Sequence, residues 1–299
     1  YLCIALDKKG PTFRHESFKE YKANRDEAPN ELSLQFPILK EVLNAMNIKQ
    51  IEMDGYEADD IAGTVAKIGE ENEMDVILVT GDKDYLQLIS NGCSVLLTKR
   101  GITELKKYDM DVMLKEYGIT PKQFIDLKGL MGDTSDNIPG IPGIGEKTGL
   151  KLIKEFGSME GVYENIDKVG GEKRRESLIE YRQQAFMSRK LAEIVINVPL
   201  DLNIEDTKVK EPSWQELKDI YESLEFKSLI DKIPDGKIEE SYETIESPFQ
   251  VVEDEQDYGR IISEIENFKQ FAFKFIISDE DIHNSKMLGV AIKTIDCDT

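Results

Sequence analysis

The sequence is short of the residue types from which many hydrolytic and redox sites are built. It has three cysteines, Cys3, Cys93 and Cys297, far apart and with no CxxC pair. That argues against a thiolate metal site and fits a reducing compartment, so the predicted location is the cytoplasm. Histidine occurs twice, as His15 and His283, and no nucleophile-elbow motif supports a Ser-His-Asp triad. No run of 18 apolar residues exists, which excludes a membrane-spanning helix, and no secretory signal is visible. A metal held by this chain must therefore be held by oxygen, which points to Mg²⁺ or Mn²⁺.

Positive charge is also in deficit. The chain carries 59 Asp and Glu against 38 Lys and Arg, a formal net charge of −21. Such a total argues against nucleic acid as a partner, but its distribution weakens that objection. Residues 235–299 hold 16 acids and 6 bases, so −10 of the total lies there. Residues 8–25 hold six Lys or Arg against two Glu, and residues 168–190 hold seven against three. Local basic surface, not the sum, sets phosphate affinity.

What is present is enough for a core. The 299 residues are 40% hydrophobic, which predicts two domains or slightly more. Strand-like runs alternate with helical patterns up to residue 118: IALD (4–7), a helix through ELSLQFPILKEVLNAMN, QIEM (50–53), a helix over 57–70, the buried strand DVILVT (75–80), a helix over 83–90, and CSVLLT (93–98). That alternation predicts an α/β fold with a mostly parallel sheet flanked by helices. From about residue 108 the strands stop. Helices are predicted over 109–117, 121–131, 145–156, 158–166, 172–190, 213–224 and 226–232. The domains read as 1–118, 119–232, an acidic linker over 233–248, and an incomplete unit over 249–299 with strands FAFKFIIS and MLGVAIKTI. The chain opens at Tyr1 inside a strand-like run and closes at Thr299 just after another, which predicts a fragment at both ends.

Acids recur at one kind of place. Asp7 ends the first strand; Asp82 and Asp84 follow DVILVT in TGDKD. The carboxyl ends of strands in a parallel sheet line the binding crevice. In GYEADDIAGT, Glu57 and Asp60 stand at i, i+3 on one helical face with Asp59 beside them. Asp133 and Asp136 lie in GDTSDN between two helices. Each acid alone also reads as a helix cap or an Asx-turn. Together, eight carboxylates on four segments predict a site for divalent cations, since a converged cluster cannot stay ionised without cations. Two such ions suit in-line hydrolysis of a phosphodiester.

Two further stretches suit phosphate. NIPGIPGIGEKTGLKLIKEF (137–156) places Gly140, Gly143 and Gly145 in a tight turn before a helix start, with Lys147, Lys151 and Lys154 on one helical face. The reading is a non-specific grip on duplex phosphates; the alternative is a plain helix–turn–helix corner with a solvated lysine face. KKGPTFRHESFKEYKANRDE (8–27) is basic with Phe13, Phe18 and Tyr21 interleaved, as single-stranded nucleic acid prefers. It reads as a lid or arch, or as a surface helix whose aromatics pack inward. Lys173, Arg174 and Arg175 form a third basic run, a solvated face or a DNA contact.

In order and spacing, LDKKGPTFRHESFKEYKANR, GYEADDIAG, LVTGDKDYLQL, LKGLMGDTSDNIPGIPGIGEKT and LKLIKEFGS resemble the 5′-nuclease domain of bacterial DNA polymerase I, within the wider flap-endonuclease family. The resemblance covers residues 1–232. It implies a resolvase-like (PIN-type) α/β core followed by a helix–three-turn–helix region. It implies that Asp7, Glu57, Asp59, Asp60, Asp82, Asp84, Asp133 and Asp136 bind two or more Mg²⁺ or Mn²⁺ ions. It implies that Tyr21, Lys22 and Arg25 handle the 5′ end, with Lys22 and Arg25 stabilising the scissile phosphate. Gly140, Gly143, Gly145, Lys147 and Lys151 fall in the duplex-binding motif, which in the family often holds K⁺. The implied activity is 5′→3′ exonuclease and 5′-flap endonuclease action on flapped, nicked or RNA-primed DNA, in a monomer linked to a polymerase domain.

Three departures stand out. The family's opening strand, with one further metal-binding Asp, falls in a segment before Tyr1. Gly149 stands where the family usually has Ala. FAFKFIIS (271–278) resembles the first strand of the 3′→5′ proofreading domain, but Lys274 and Ile276 stand where that family places its acids, which predicts an inactive editing domain. A DNA-binding scaffold with an incomplete metal site is the alternative function. A small-molecule phosphohydrolase leaves residues 137–156 without a role.

Overall fold

A computed structural model describes residues 1–26, 28–100, 104–234, 236–237, 255–267, 270–278 and 286–295. They belong to two units, Tyr1–Ile238 and Glu239–Thr299.

In the first unit β1 (Cys3–Ala5) pairs in parallel with β2 (Lys49–Ile51), Cys3 opposite Lys49 and Ala5 opposite Ile51. β3 (Val76–Thr80) pairs in parallel with β4 (Cys93–Arg100), and β5 (Glu104–Tyr108) returns antiparallel along β4. The strands therefore form a two-stranded and a three-stranded sheet, not the single sheet that the alternation predicts. β5 lies between the last predicted strand, CSVLLT, and the start of the predicted helical region, where the pattern assigns no element. Its ELKKY run is mostly solvent-facing, so partnership with β4 rather than composition makes it a strand. β3 also departs from expectation. A continuous apolar run reads as buried on both faces, yet Ile77 and Val79 are 56% and 65% exposed, and Leu78 packs toward the core.

Helices follow the strands. α1 (Phe13–Ser17) starts after Thr12, and α2 (Asn30–Ser33) and α3 (Gln35–Ala45) follow. α4 (Ala58–Glu71) opens with a capping box in which Glu57 and Asp60 satisfy each other's backbone N–H groups. The predicted 83–90 helix is a tight 3₁₀ segment, Lys83–Leu88. Then come α5 (Met110–Glu116), α6 (Pro121–Met131), α7 (Glu146–Phe156), α8 (Met159–Glu164), α9 (Glu172–Glu180), α10 (Arg182–Ala192), α11 (Trp214–Ser223) and α12 (Lys227–Ile230). The predicted 172–190 helix is broken at Tyr181, which leaves helical geometry (φ −97°, ψ 20°) and packs against the core.

The main core joins the β3–β4 layer to the helical region through Leu86, Val95, Met113, Leu127, Leu130, Ile153, Met159 and Leu178. At roughly 1.5–3 kcal/mol per fully buried side chain, this cluster is the chief stabilising term. α6 runs through its middle. Its start is fixed by Pro121 at the first turn and a Thr120–Gln123 capping box. Its end is fixed at Gly132 (φ +71°), where a Cβ would lie 2.4 Å from the Ile138 carbonyl oxygen. Gly149 has a packing reason too: a Cβ there would lie 2.7 Å from Cδ1 of buried Leu127.

In the second unit, α13 (Glu255–Asn267) precedes β6 (Gln270–Ile277), which pairs antiparallel with β7 (Met287–Ile295). Lys274 stands opposite Ala291, and Ile276 opposite Gly289. The predicted linker lies, from residue 238 on, outside the described residues.

Candidate active site

The strand-end acids serve first as caps. Asp7, just past β1, accepts from the Ala58 N–H at 2.8 Å and so caps α4 through Oδ1. Asp82, just past β3, accepts from the Asp84 N–H at 2.8 Å, also through Oδ1. Both lie on exposed surface at the carboxyl ends of their strands.

The acids of GYEADD separate by one residue's rotation about the helix. Asp59 meets the Tyr85 hydroxyl and feels the charges of Asp82 and Glu57. Burial, with those two like charges, pushes its acid up to about 6 despite the Tyr85 bond. Glu57 is buried and accepts from Lys22 Nζ at 2.7 Å and from the Tyr21 hydroxyl at 3.0 Å. Asp60 turns inward and is fully buried. Both of its oxygens are taken: Oδ2 by Arg14 Nη1 (2.7 Å) and the Glu57 N–H (3.1 Å), Oδ1 by Arg14 Nη2 (2.7 Å) and the Val195 N–H (2.9 Å). The expectation that Asp60 is a metal ligand is thereby corrected: no lone pair is left for a cation. The i, i+3 spacing does bring Glu57 and Asp60 together, but as a capping box.

A third group meets across α6. Lys128, only 7% exposed, donates to Asp133 Oδ2 at 2.5 Å and ion-pairs with Asp84. Burial pushes the Asp84 acid up to about 6, against the pull of Lys128 and with the push of Asp82 and Asp133. Burial acts against the Asp133 carboxylate too, but its bonds from Lys128 and Ser135 keep its pKa below the usual range. Burial also opposes the Lys128 ammonium, yet Asp84 and Asp133 hold it above the ordinary lysine value. Asp136 pairs with Arg25 and lies 3.8 Å from Lys22 Nζ.

The donor set is carboxylate oxygen throughout, which suits a hard divalent cation. Asp59 and Asp84 are half-buried, and burial pushes both acids up. Their spacing, however, is that of acids neutralised by side chains: among the described residues no group of three or more His, Cys, Asp or Glu is placed to hold a metal ion. Lys22, Arg25 and Lys128 stand where charge must be balanced.

The basic segment 8–25 folds onto the acids. The Lys22 N–H donates to the Asp136 carbonyl (2.9 Å), Asn24 Nδ2 to the Thr134 carbonyl (2.7 Å), and Asn137 Nδ2 to the Glu20 carbonyl (2.5 Å). For the aromatics of this segment two readings stand open, stacking on nucleic acid or packing inward. Tyr21 follows the second: its ring is buried, with its hydroxyl between Glu57 and Asp136 and its edge against His15. An amphipathic ring beside two acids gains more from burial with a hydroxyl partner than from exposure.

The glycine turn divides in two. Gly140 (φ +57°) is buried, donates its N–H to Ser188 Oγ and accepts from Gln184 Nε2 through its carbonyl. A Cβ there would lie 2.3 Å from the Gly132 nitrogen. Gly140 is thus a packing glycine with no N–H left for a phosphate, which corrects its assignment to the DNA grip. Gly143 (φ +81°) and Gly145 are exposed, with open space around them. Beside them Lys147, Leu150, Lys151, Lys154 and Glu155 line an open depression of about 540 Å³.

Arg14, Lys128 and Tyr85 escape a motif reading. Lys128 does leave a signal, a lone lysine inside the otherwise apolar stretch LKGLM. Arg14 lies in a basic run and looks like one more surface cation.

Residues 1–118 match the family model described as 5′-3′ exonuclease, N-terminal resolvase-like domain. Residues 119–216 match the one described as 5′-3′ exonuclease, C-terminal SAM fold. DNA polymerase I of Bacillus caldotenax is 39% identical over 292 residues, 98% of this chain and 32% of that protein. The chain thus spans about a third of the length of such curated relatives. Among solved structures, the bacteriophage T5 5′-exonuclease with divalent zinc ions bound has a TM-score of 0.55 at 25% identity, covering 76% of this chain and 82% of that one. The bacteriophage T5 flap endonuclease in a pseudo-enzyme–product complex with DNA and metal ions has a TM-score of 0.55 at 27% identity, covering 73% and 82%.

Proposed function

This chain belongs to the 5′-3′ exonuclease family, and from that premise we propose that it is a structure-specific 5′ nuclease, cutting phosphodiesters of DNA and primer RNA at 5′ flaps, nicks and ends. One observation carries the reading. Acids from the ends of β1 and β3, the start of α4 and the 133–136 loop share one charge field: Asp59 with Asp82 and Glu57, Asp84 with Asp82 and Asp133, and Tyr85 with Asp59, Asp82 and Asp7.

Asp7, Glu57, Asp59, Asp82, Asp84, Asp133 and Asp136 are the residues that would hold divalent cations, Mg²⁺ by preference. Such ions supply charge neutralisation at the phosphate and a more acidic attacking water. Lys22 and Arg25 stand beside Glu57 and Asp136, where a scissile phosphate would draw them as counter-charges. The open turn at Gly143 and Gly145, with Lys147 and Lys151, grips duplex backbone; carbonyls of that turn are the place for K⁺. The protein acts as a monomer, in the cytoplasm, joined to a polymerase domain.

The test is cleavage of a 5′-flap duplex in Mg²⁺, with Asp82→Asn and EDTA as controls. Mg²⁺-dependent release of the flap, lost in Asp82→Asn, supports the reading; a folded protein that binds the flap and never cuts it overturns it. That second outcome is the alternative, a DNA-binding scaffold. It is favoured by the cations that already neutralise Glu57, Asp84, Asp133 and Asp136.

A further inference from the structure

We propose that Lys128 is a built-in counter-ion of the acidic site, holding Asp84 and Asp133 in place in the metal-free protein and competing with the divalent cation for them. The inference rests on the reading of these acids as metal-binding. Lys128 sits within α6, 7% exposed, with its ammonium between carboxylates from two separate segments.

Its surroundings differ from those of an ordinary buried ion pair. The nearby Arg14–Asp60 pair is closed: backbone N–H groups take up the oxygens of Asp60 that Arg14 already binds. At Lys128 the acids are held differently. Asp133 is oriented through Oδ1, which accepts the Ser135 N–H (2.8 Å) and hydroxyl (2.5 Å), and it offers Oδ2 inward. Asp84 is set by its own N–H on Asp82 and offers Oδ1 inward. Both offered oxygens meet on one ammonium.

A single positive charge cannot neutralise both carboxylates and the adjacent Asp82. The site therefore remains attractive to a doubly charged ion while its inner position is already filled. An arriving cation must displace the ammonium or stand beside it, and either weakens metal binding. A lysine suits this role better than an arginine, because it is a point charge on a flexible stem that can withdraw, not a planar fork fixed by several donors. Lys128 is thus a positioning residue: it keeps two ligands apart and oriented until the metal arrives.

The experiment measures Mn²⁺ binding by calorimetry in metal-stripped protein without DNA, for wild type, Lys128→Met, Lys128→Arg and Asp133→Asn. We expect Lys128→Met to bind Mn²⁺ about tenfold or more tightly than wild type. Lys128→Arg should stay near wild type or weaker, and Asp133→Asn should bind more weakly than wild type. Equal or weaker binding by Lys128→Met, with Asp133→Asn still impaired, overturns the counter-ion role and leaves the metal site intact. No Mn²⁺ binding by any folded variant overturns the metal reading itself. If Lys128→Met does not fold, the same question goes to wild type with ¹⁵N-labelled lysine. Addition of Mg²⁺ should shift one slowly exchanging ammonium signal, assigned by its absence in Lys128→Arg. A signal that stays unmoved while Mg²⁺ binds overturns the proposal.

Discussion

Arg14 and Asp60 form a two-pronged pair, Nη1 to Oδ2 and Nη2 to Oδ1, each 2.7 Å, with side chains 3% and 0% exposed. The guanidinium also donates through Nε to the Leu191 carbonyl (2.9 Å) and through Nη2 to the Glu193 carbonyl (2.7 Å). One residue of α1 thereby ties the start of α4 to the end of α10 and the residue just after it. Removing one partner of a buried pair strands the other charge, which costs about 3–5 kcal/mol. Arg14→Ala is expected to lose stability on that scale in urea denaturation, equally in EDTA and in Mg²⁺. A loss that Mg²⁺ restores would instead return Asp60 to the metal site.

Asp59 gives a pH dependence of definite sign. Its acid is raised from 3.8 to about 6 by burial and by Asp82 and Glu57. A raised carboxyl favours the fold fully below its unfolded pKa, and that contribution is lost as pH rises through about 6. Asp59→Asn removes the uncompensated charge. In EDTA the variant should therefore melt higher than wild type at pH 8, by an amount worth about 3 kcal/mol, and show no such gain at pH 4. It should also lose flap cleavage, since stability and activity draw on this charge in opposite senses. A difference between the two proteins that does not vary with pH contradicts this account.

The parts legible in the sequence were those fixed by local spacing. Strand-end acids, the glycine turn and the lysine face of α7 each sit within a few residues, where chain geometry decides the outcome. What was not legible depended on distant partners. Asp60 and Asp59 are neighbours of one residue type, and only Arg14, Val195 and Tyr85 separate a structural acid from a chemical one. Gly140 and Gly143 look alike in IPGIPGIG, but Ser188, Gln184 and Gly132 enclose the first alone. β5 required β4 as a partner, and Lys128 required two loops that converge on α6.

Those two glycines make a paired test. Gly140→Ala would put a Cβ 2.3 Å from the Gly132 nitrogen and 2.4 Å from the Met131 carbonyl carbon, both backbone atoms that cannot move aside. It is expected to lower the melting temperature and duplex binding together. Gly143→Ala meets nothing within 4 Å and carries only the strain of its φ of +81°, about 1–2 kcal/mol. Its fold should persist, with weaker duplex binding where the backbone can no longer approach a phosphate. Fluorescence melting and flap-binding titration in EDTA separate the two. A Gly140→Ala protein with wild-type stability is inconsistent with the packing described.

The lysines of α7 test the grip itself. Lys147 and Lys151 are one helical turn apart, exposed, and line the depression beside the open turn. A cation that neutralises one phosphate contributes about 0.9 to the slope of log affinity against log salt on duplex DNA. Lys147→Ala and Lys151→Ala should each reduce that slope by about 1, lower affinity at low salt and leave the melting temperature unchanged. Lys154, at the far end of the same face, serves as the internal control. Its side chain packs over Gly118, where a Cβ would lie 2.7 Å from its Nζ, so it is partly committed to the protein surface. Lys154→Ala should change the slope less than either of the others. Equal effects from all three would mean a diffuse electrostatic surface, not a grip centred on the Gly143–Gly145 turn.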